Sequence, residues 1–172
     1  MKAVFVMRHT LRQLGPACLA ATLALTISSA KAQGMTSEQA RTIVAPFYEA
    51  LNAVPGRDAA ALVMQATHPD WVSCANNDVC SSRDKVAPAI AGFSRAIPDL
   101  KWDIKEILVS SDRVIVRGEA AGTPAASFMG VAHGGKSFKV MSIDIHTVKD
   151  GKLLRTHHIE DWMGASRQLA AK

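Results

Sequence analysis

Two runs of alternating apolar and polar residues meet at Asp150-Gly151, near the end of the chain. Asp-Gly between two such runs is a strong signal for a two-residue β-hairpin, because a type I′ turn requires a positive φ at both central residues. This turn pairs Lys149 with Lys152. The segment from Val140 to Trp162 is therefore predicted to form the last two strands of an antiparallel sheet.

Counting outward from the turn gives a register for the whole hairpin. The predicted cross-strand pairs are Asp144 with His157, His146 with Arg155, Ser142 with Ile159, and Val140 with Asp161. Successive side chains of a strand point to opposite faces, so one face is predicted to carry Ser142, Asp144, His146, Arg155, His157 and Asp161. A shift of one residue in one strand would move half of this set to the other face.

The first 32 residues have the order of regions that is typical of a secretory signal. Lys2, Arg8 and Arg12 precede an apolar run from Ala17 to Ile27, and small residues follow up to Ala32. The apolar run is shorter than the roughly 18 residues of a membrane helix. We therefore expect cleavage after about Ala32, a periplasmic or secreted protein without a membrane anchor, and one domain over residues 33–172.

Cleavage would change the charge of the chain. The full sequence has 20 Lys and Arg against 15 Asp and Glu. The first 32 residues contain four of the basic residues and none of the acidic ones, which leaves sixteen against fifteen. A nearly neutral domain without a basic stripe or interleaved aromatic residues is not predicted to bind nucleic acid.

Two cysteines remain after cleavage, Cys74 and Cys80. In an oxidising compartment a local disulfide is favoured. A free pair and a metal site are the alternatives, and a metal site would lack a nearby histidine or third cysteine. No metal is therefore expected.

The elements before the hairpin place helices first and strands afterwards. Thr36 and Gln39 form a predicted capping box for a helix that runs to about Asn52. Further predicted elements are a short helix after Asp58, a helix from Ser82 to about Arg95, and strands at 100–109 and 113–122. This order is typical of an α+β domain. A curved sheet wrapped around the helices would form a cone whose mouth is open to a ligand.

The chain also resembles a known family. The stretches IPDLKWDIKEILVSSDRVIVRGEAAGTP and IDIHTVKDGKLLRTHHIEDWMGASRQL, within 37–169, resemble the SnoaL-like polyketide cyclases, often called ester cyclases. These proteins belong to the cone-shaped superfamily of nuclear transport factor 2 and ketosteroid isomerase. The resemblance implies a cone-shaped α+β domain, and this superfamily often forms homodimers through the open sheet face.

For function, the resemblance implies a cofactor-free intramolecular aldol closure on a small, largely apolar carbonyl compound. A carboxylate near the end of the last strand would take an α-proton, and by position that carboxylate matches Asp161. His146 matches a residue of the cavity that assists it. A carboxylate desolvated by apolar neighbours has a raised pKa, which suits a base that acts on carbon acids.

Other residues have two interpretations each. Asp144 would orient His157 for proton transfer, or the two would form a buried structural ion pair. Arg117 would polarise a substrate carbonyl, or it would pair with Glu106 across the strands. Aromatic residues that would line a cavity or fill the core are Phe47, Trp71, Trp102 and Phe128. His158 is predicted to point away from this face and to be structural.

Three functions are consistent with these features. The first is the cyclase chemistry, and the second is a binder of a hydrophobic small molecule on the same fold. The third is an epoxide-hydrolase-like enzyme, in which Asp144, Arg117 and Asp161 would converge on one water. A row of Met141, Ile143 and Ile145 on the other face of the hairpin would be covered by helices or by a second copy in a homodimer.

Overall fold

The computed structural model describes residues 34–132 and 134–171. The expected signal segment lies outside these residues, so its cleavage and export stay predictions. The elements are α1 (Ser37–Leu51), α2 (Ala59–Ala66), β1 (Thr67–Cys74), β2 (Cys80–Ser82), α3 (Arg83–Ala96), β3 (Lys101–Ser110), β4 (Arg113–Gly122), β5 (Phe138–Lys149), β6 (Lys152–Glu160) and α4 (Trp162–Ala170).

The strands form one curved open sheet in the order β2-β1-β6-β5-β4-β3. The pairing of β1 with β6 is parallel, and all other pairs are antiparallel. The buried side chains of β4 and β5 alternate with exposed ones, and they form one core with the buried residues of the helices. The predicted α+β class is confirmed.

The helix starts follow the local signals in the sequence. Thr36 Oγ1 accepts a hydrogen bond from the Gln39 backbone N–H, and Gln39 Oε1 accepts one from the Thr36 N–H, at 3.1 Å and 2.8 Å. This capping box satisfies two donors at the start of α1. Asp58 caps α2 through the Ala61 N–H at 2.9 Å. Because α1 begins where predicted, its last turns bring Phe47 and Tyr48 into the core.

The last hairpin has the predicted turn but not the predicted register. Asp150 and Gly151 have φ values of 51° and 71°, and Lys149 pairs with Lys152. The register then shifts, because Val148 pairs with Leu153 while Thr147 pairs with Arg155. The extra residue in β6 is a β-bulge, and it reverses the facing of every later side chain in that strand.

The predicted cross-strand pairs beyond the bulge are therefore wrong. Asp144 pairs with His158 rather than His157, His146 with Thr156 rather than Arg155, and Ser142 with Glu160 rather than Ile159. Asp161 lies beyond the end of β6 instead of opposite Val140. The face that carries Asp144 and His146 consequently receives Thr156, His158 and Glu160.

The disulfide between Cys74 and Cys80 is confirmed, with an S–S distance of 2.02 Å. The two residues pair across β1 and β2. The bond thereby closes the short loop that leads into β2 and α3.

The opposite face of the sheet remains open. Met141 is 56% exposed and Ile145 is 37% exposed, so the helices do not cover this row. A homodimer through this face stays a prediction. Within the described part of the chain, no helix is both long enough and apolar enough to span a membrane.

Candidate active site

A cavity of about 180 Å³ lies between the helices and the inner face of the sheet. Most of its lining residues are apolar or aromatic, and these apolar residues come mainly from α1, α3 and β3. The polar residues of the lining are Ser73, Asp144, Thr156, His158 and Glu160. An apolar cavity with a few convergent polar groups is the usual form of a small-molecule site.

Asp144 lies in the wall of this cavity and is almost completely buried, at 3% exposure. Its Oδ2 accepts a hydrogen bond of 2.7 Å from the Tyr48 hydroxyl. Its Oδ1 has no hydrogen-bond partner among the residues that the structure describes. Burial raises the pKa of Asp144 from 3.8 to about 7, although the Tyr48 hydrogen bond opposes that rise.

A buried hydrogen-bond chain continues behind Asp144. The Tyr48 hydroxyl lies 3.2 Å from His146 Nε2, and His146 Nδ1 lies 2.9 Å from Thr156 Oγ1. Thr156 Oγ1 accepts a hydrogen bond of 3.0 Å from Trp71 Nε1. Burial, and then the nearby charge of His158, lower the pKa of His146 to about 3, so this imidazole is neutral.

His158 and Glu160 are bonded to each other on the cavity side of β6, and they form an ion pair when the imidazole is protonated. His158 Nδ1 lies 2.9 Å from Glu160 Oε1, and Trp162 Nε1 donates to Glu160 Oε2 at 3.0 Å. The hydrogen bond to Glu160 raises the pKa of His158 above its usual 6.5, although partial burial opposes the rise. Because Nδ1 is engaged by Glu160, His158 keeps Nε2 for a ligand in the cavity.

These groups can support general acid–base chemistry. A carboxylate whose pKa is close to 7 can accept a proton at neutral pH without being fully protonated beforehand. An imidazolium held by a carboxylate can donate a hydrogen bond or a proton to an oxygen that becomes negative. Asp144 and His158 are direct neighbours across β5 and β6.

The structure does not place Asp161 in the cavity lining. Asp161 is exposed and forms the N-cap of α4, where its Oδ1 accepts the Gly164 N–H at 2.7 Å. A Cβ at Gly164 would collide with the Asp161 carboxylate in this position, so a larger residue there would displace the carboxylate. The expected position of Asp161 in the cavity is wrong, because β6 ends at Glu160 and the chain turns into α4.

His157 and Arg117 are also outside the cavity. His157 pairs with Ile145, so the bulge places it on the face opposite Asp144. Arg117 is exposed and donates from Nε to Glu106 Oε2 at 3.0 Å. This is the cross-strand pair with Glu106 that the second interpretation predicts. Arg117 and Asp161 therefore do not converge with Asp144 on one water.

The aromatic candidates divide into lining and supporting residues. Phe47 and Trp102 line the cavity. Trp71 is fully buried against Phe47, with ring centroids 5.7 Å apart, and does not reach the lining. Phe128 stacks on Phe138 at the edge of α4 instead of lining the cavity.

The position of Trp102 depends on a glycine in the neighbouring strand. The indole of Trp102 crosses β4 at Gly118 and donates to Ser142 Oγ at 3.1 Å. A Cβ at Gly118 would lie 2.6 Å from Ser142 Oγ and 3.0 Å from Trp102 Nε1. Only glycine allows this close approach of the ring to the sheet.

Sequence reasoning missed four residues of the site: Tyr48, Thr156, His158 and Glu160. Thr156, His158 and Glu160 alternate along β6, so they share one face of the strand. The bulge, which counting from the turn does not reveal, turns that face toward the cavity. Tyr48 is 96 residues from Asp144 in the chain. No local pattern connects the two.

Metal binding was not expected, and no group of three or more His, Cys, Asp or Glu residues spaced for a metal ion occurs within residues 34–132 and 134–171. Of the polar lining residues, His158 and Glu160 are bonded to each other, whereas Asp144 and Thr156 are bonded to residues behind the lining.

Many solved structures share the fold, and three of them illustrate the likeness. TsrD from Streptomyces laurentii is 22% identical, with a TM-score of 0.68 over 80% of this chain and 99% of TsrD. IdmH from Streptomyces antibioticus is 23% identical, with a TM-score of 0.65 over 76% of this chain and 97% of IdmH. A Catenulispora acidiphila protein with a ketosteroid isomerase-like fold is 14% identical, with a TM-score of 0.60 over 76% of this chain and 93% of its own.

At these identities the structural likeness shows the fold alone. No curated protein sequence matches the chain. The family model of the SnoaL-like polyketide cyclases matches residues 44–169, which is well over half of the chain and contains Tyr48, Asp144, His158 and Glu160. The chain therefore belongs to the SnoaL-like polyketide cyclase family.

Proposed function

We propose that the protein catalyses cofactor-free proton transfer at a carbon next to a carbonyl group in a small, largely apolar compound. Asp144 is the general base in this proposal, in place of Asp161. The observation that carries it is the Asp144 carboxylate in the wall of a mostly apolar cavity, with a pKa raised by burial to about 7.

The proposed first step is removal of an α-proton by the Asp144 carboxylate. The electrons of the C–H bond form a carbon–carbon double bond, and the carbonyl oxygen becomes an enolate oxygen. His158, protonated and held by Glu160, donates to that oxygen from Nε2. A positioned donor at an oxygen that gains charge stabilises the transition state more than the ground state.

In a cyclisation, the enolate carbon then attacks a second carbonyl group of the same molecule. A new carbon–carbon bond forms as the enolate carbonyl re-forms and the π bond of the attacked carbonyl breaks, and the resulting alkoxide takes the His158 proton. Transfer of the proton held by Asp144 to His158 restores both groups. The net reaction is redox-neutral. The family supports this type of reaction for the chain.

The lining supports a compact, mostly apolar substrate. Phe47, Phe93, Trp102 and Trp162 present rings to the cavity. The indole N–H groups of Trp102 and Trp162 are bonded to Ser142 and Glu160, so these rings offer apolar surface to a ligand. The carbonyl group of the substrate would lie at the Asp144 and His158 end.

The test is hydrogen–deuterium exchange at the α-carbon of a small apolar ketone, 2-indanone, in deuterated buffer, measured by proton NMR. We expect exchange above the buffer rate that increases with pH and levels off above about pH 7, as Asp144 becomes ionised. Asp144→Asn should reduce the protein-dependent rate by about 10²-fold or more, because it removes the base and keeps the shape.

Glu160→Gln is the matched variant, because Glu160 is the other carboxylate of the lining. It weakens the hold on His158 and should reduce the rate less than Asp144→Asn does. Full exchange activity in folded Asp144→Asn, with loss in Glu160→Gln, would instead make Glu160 the base. Binding of the ketone without any exchange in the wild type would favour the non-catalytic binder.

We also propose that the chain is exported. The basic, apolar and small-residue regions of residues 1–32 support this proposal, and so does the disulfide between Cys74 and Cys80, because disulfides persist in oxidising compartments. The cavity chemistry would then act outside the cytoplasm.

A further inference from the structure

The direction of the hydrogen bond is fixed at both ends of the buried hydrogen-bond chain behind Asp144. An indole N–H is a donor only, so Trp71 Nε1 donates to Thr156 Oγ1. An ionised carboxylate is an acceptor only, so the one hydroxyl proton of Tyr48 points to Asp144 Oδ2. These two ends determine every proton between them.

The tautomer of His146 follows from this accounting. The Tyr48 hydroxyl donates its only hydrogen bond to Asp144. Its oxygen therefore accepts a hydrogen bond from His146 Nε2–H across the 3.2 Å contact. A neutral imidazole with a proton on Nε2 accepts at Nδ1, and the Thr156 hydroxyl donates there. Each donor then has one acceptor, and the chain runs in one direction from Trp71 to Asp144.

The opposite direction leaves one proton without a partner. If Asp144 carried a proton on Oδ2, the order would reverse, with Asp144 donating to Tyr48, Tyr48 to His146, and His146 Nδ1–H to Thr156 Oγ1. Thr156 would then accept from both His146 and Trp71, and its own hydroxyl proton would lose its acceptor in a fully buried place. A buried donor without an acceptor is costly.

We propose that Trp71 and Thr156 are positioning residues that set the direction of this chain, keep Oδ2 of Asp144 as an acceptor, and leave Oδ1 as the oxygen that takes the substrate proton. This inference rests on the proposed role of Asp144 as the base. Oδ1 is the carboxylate oxygen without a partner among the residues described. Hydrogen bonds in a chain strengthen one another in a low-dielectric interior, so His146 also makes Tyr48 a better donor.

The groups around Asp144 come from few elements. Tyr48 faces it from α1, His146 lies beside it on β5, and His158 and Glu160 lie on β6. The neighbouring residue on β4 is Val116. The cavity residues of α3 are Val86, Ala89, Ile90 and Phe93, none of which is charged.

The test is a pH titration of the Asp144 side-chain carboxyl by carbon-13 NMR on the full chain with labelled aspartate. The Asp144 signal is assigned by its loss in Asp144→Asn. Tyr48→Phe should raise the carboxyl pKa by about one to two pH units, since it removes a hydrogen bond to a charged group. Thr156→Val should raise it by a smaller amount, because it removes the third hydrogen bond of the chain counted from Asp144.

Thr156→Ser is the matched control, because it keeps the hydroxyl and should keep the carboxyl pKa close to that of the wild type. A Thr156→Val protein that folds and titrates like the wild type would overturn the directional role of the chain. A structural role alone would lower stability in Thr156→Val without moving this pKa.

A second measurement needs no variant of the chain. Nitrogen-15 NMR of the His146 ring in the wild type should show a proton on Nε2, a bare Nδ1, and no protonation down to about pH 4. A proton on Nδ1 at neutral pH would overturn the assignment. The Asp144 titration and the His146 tautomer are measured without turnover. They therefore test the direction of the hydrogen-bond chain even if the protein is inactive on 2-indanone.

Discussion

At the scale of single residues, the site places a carboxylate where water does not stabilise its charge. Burial raises the folded pKa of Asp144 to about 7, while an unfolded chain titrates near the ordinary 3.8. The folded protein therefore holds this proton over a range in which the unfolded chain has released it. Below about pH 4 Asp144 costs no stability, and the cost grows until about pH 7.

Asp144→Asn removes this cost. We expect the variant to equal the wild type in unfolding free energy near pH 4 and to exceed it by on the order of 2–4 kcal/mol above pH 7. Urea unfolding at a series of pH values measures this difference. The folded His146 stays neutral over this range while the unfolded chain protonates it, and comparing the two proteins largely removes this contribution.

Asp150→Asn is the matched control, because Asp150 is exposed in a turn with positive φ that Asn also adopts. Its unfolding free energy should follow the wild type at every pH. A constant difference between Asp144→Asn and the wild type from pH 4 to pH 8 would contradict the burial of an ionised Asp144.

At the scale of elements, the helix starts and the strands were predictable because their signals are local. The Thr36 capping box, the Asp58 cap and the Asp150-Gly151 turn each depend on residues that are close in sequence. The register of β6 was not predictable by counting. The bulge lies within Leu153-Leu154-Arg155, where no glycine or proline marks an extra residue.

The same limit explains the site residues. Asp144 and His146 were predicted from β5, whose pairing with β4 is regular. The counted register put His158 on the wrong face and left Thr156 and Glu160 out of the site, since one unpaired residue reverses parity. Tyr48 was missed because only tertiary packing brings α1 to β5.

The disulfide links two elements next to the cavity, β1 and β2. Cys74 ends β1, directly after the cavity residue Ser73, and Cys80 begins β2, which leads into α3. Closing a loop with a sequence separation of 6 residues stabilises a folded chain by about 2 kcal/mol in the chain-entropy model. The bond therefore restrains the start of the helix that forms one wall of the cavity.

We expect Cys74→Ala combined with Cys80→Ser to lower the unfolding free energy by about 2 kcal/mol or slightly more, since Cys74 is fully buried. Urea unfolding of the oxidised wild type and the double variant gives the value. The control is the wild type in dithiothreitol, which should approach the variant. Equal stability of the oxidised and reduced wild type would contradict this role.

At the scale of the whole molecule, the proposed export predicts that the mature protein lacks residues 1–32. Full-length protein produced in a Gram-negative host should be recovered from the periplasm with Gln33 as its first residue. Intact mass and N-terminal sequencing of the periplasmic fraction measure this. The cleavage site prefers small residues, so Ala32→Phe should leave uncleaved precursor.

Deletion of residues 2–32 is the matched control and should keep the chain in the cytoplasm. Recovery of the intact 172-residue chain from the wild-type cytoplasm, with none in the periplasm, would refute export. The fold and the cavity would be unaffected by that result, because both belong to residues 34–132 and 134–171.

The bulge in β6 determines which side chains of that strand face the cavity. If Leu154 paired with Thr147 and the bulge were absent, Arg155, His157 and Ile159 would turn inward, in place of Thr156, His158 and Glu160. The cavity would lose the His158–Glu160 pair and the Thr156 hydroxyl. It would gain the guanidinium of Arg155, the imidazole of His157 and the aliphatic side chain of Ile159. One unpaired residue near a tight turn thus decides which side chains of the last strand line the cavity, while the order of the strands in the sheet stays the same.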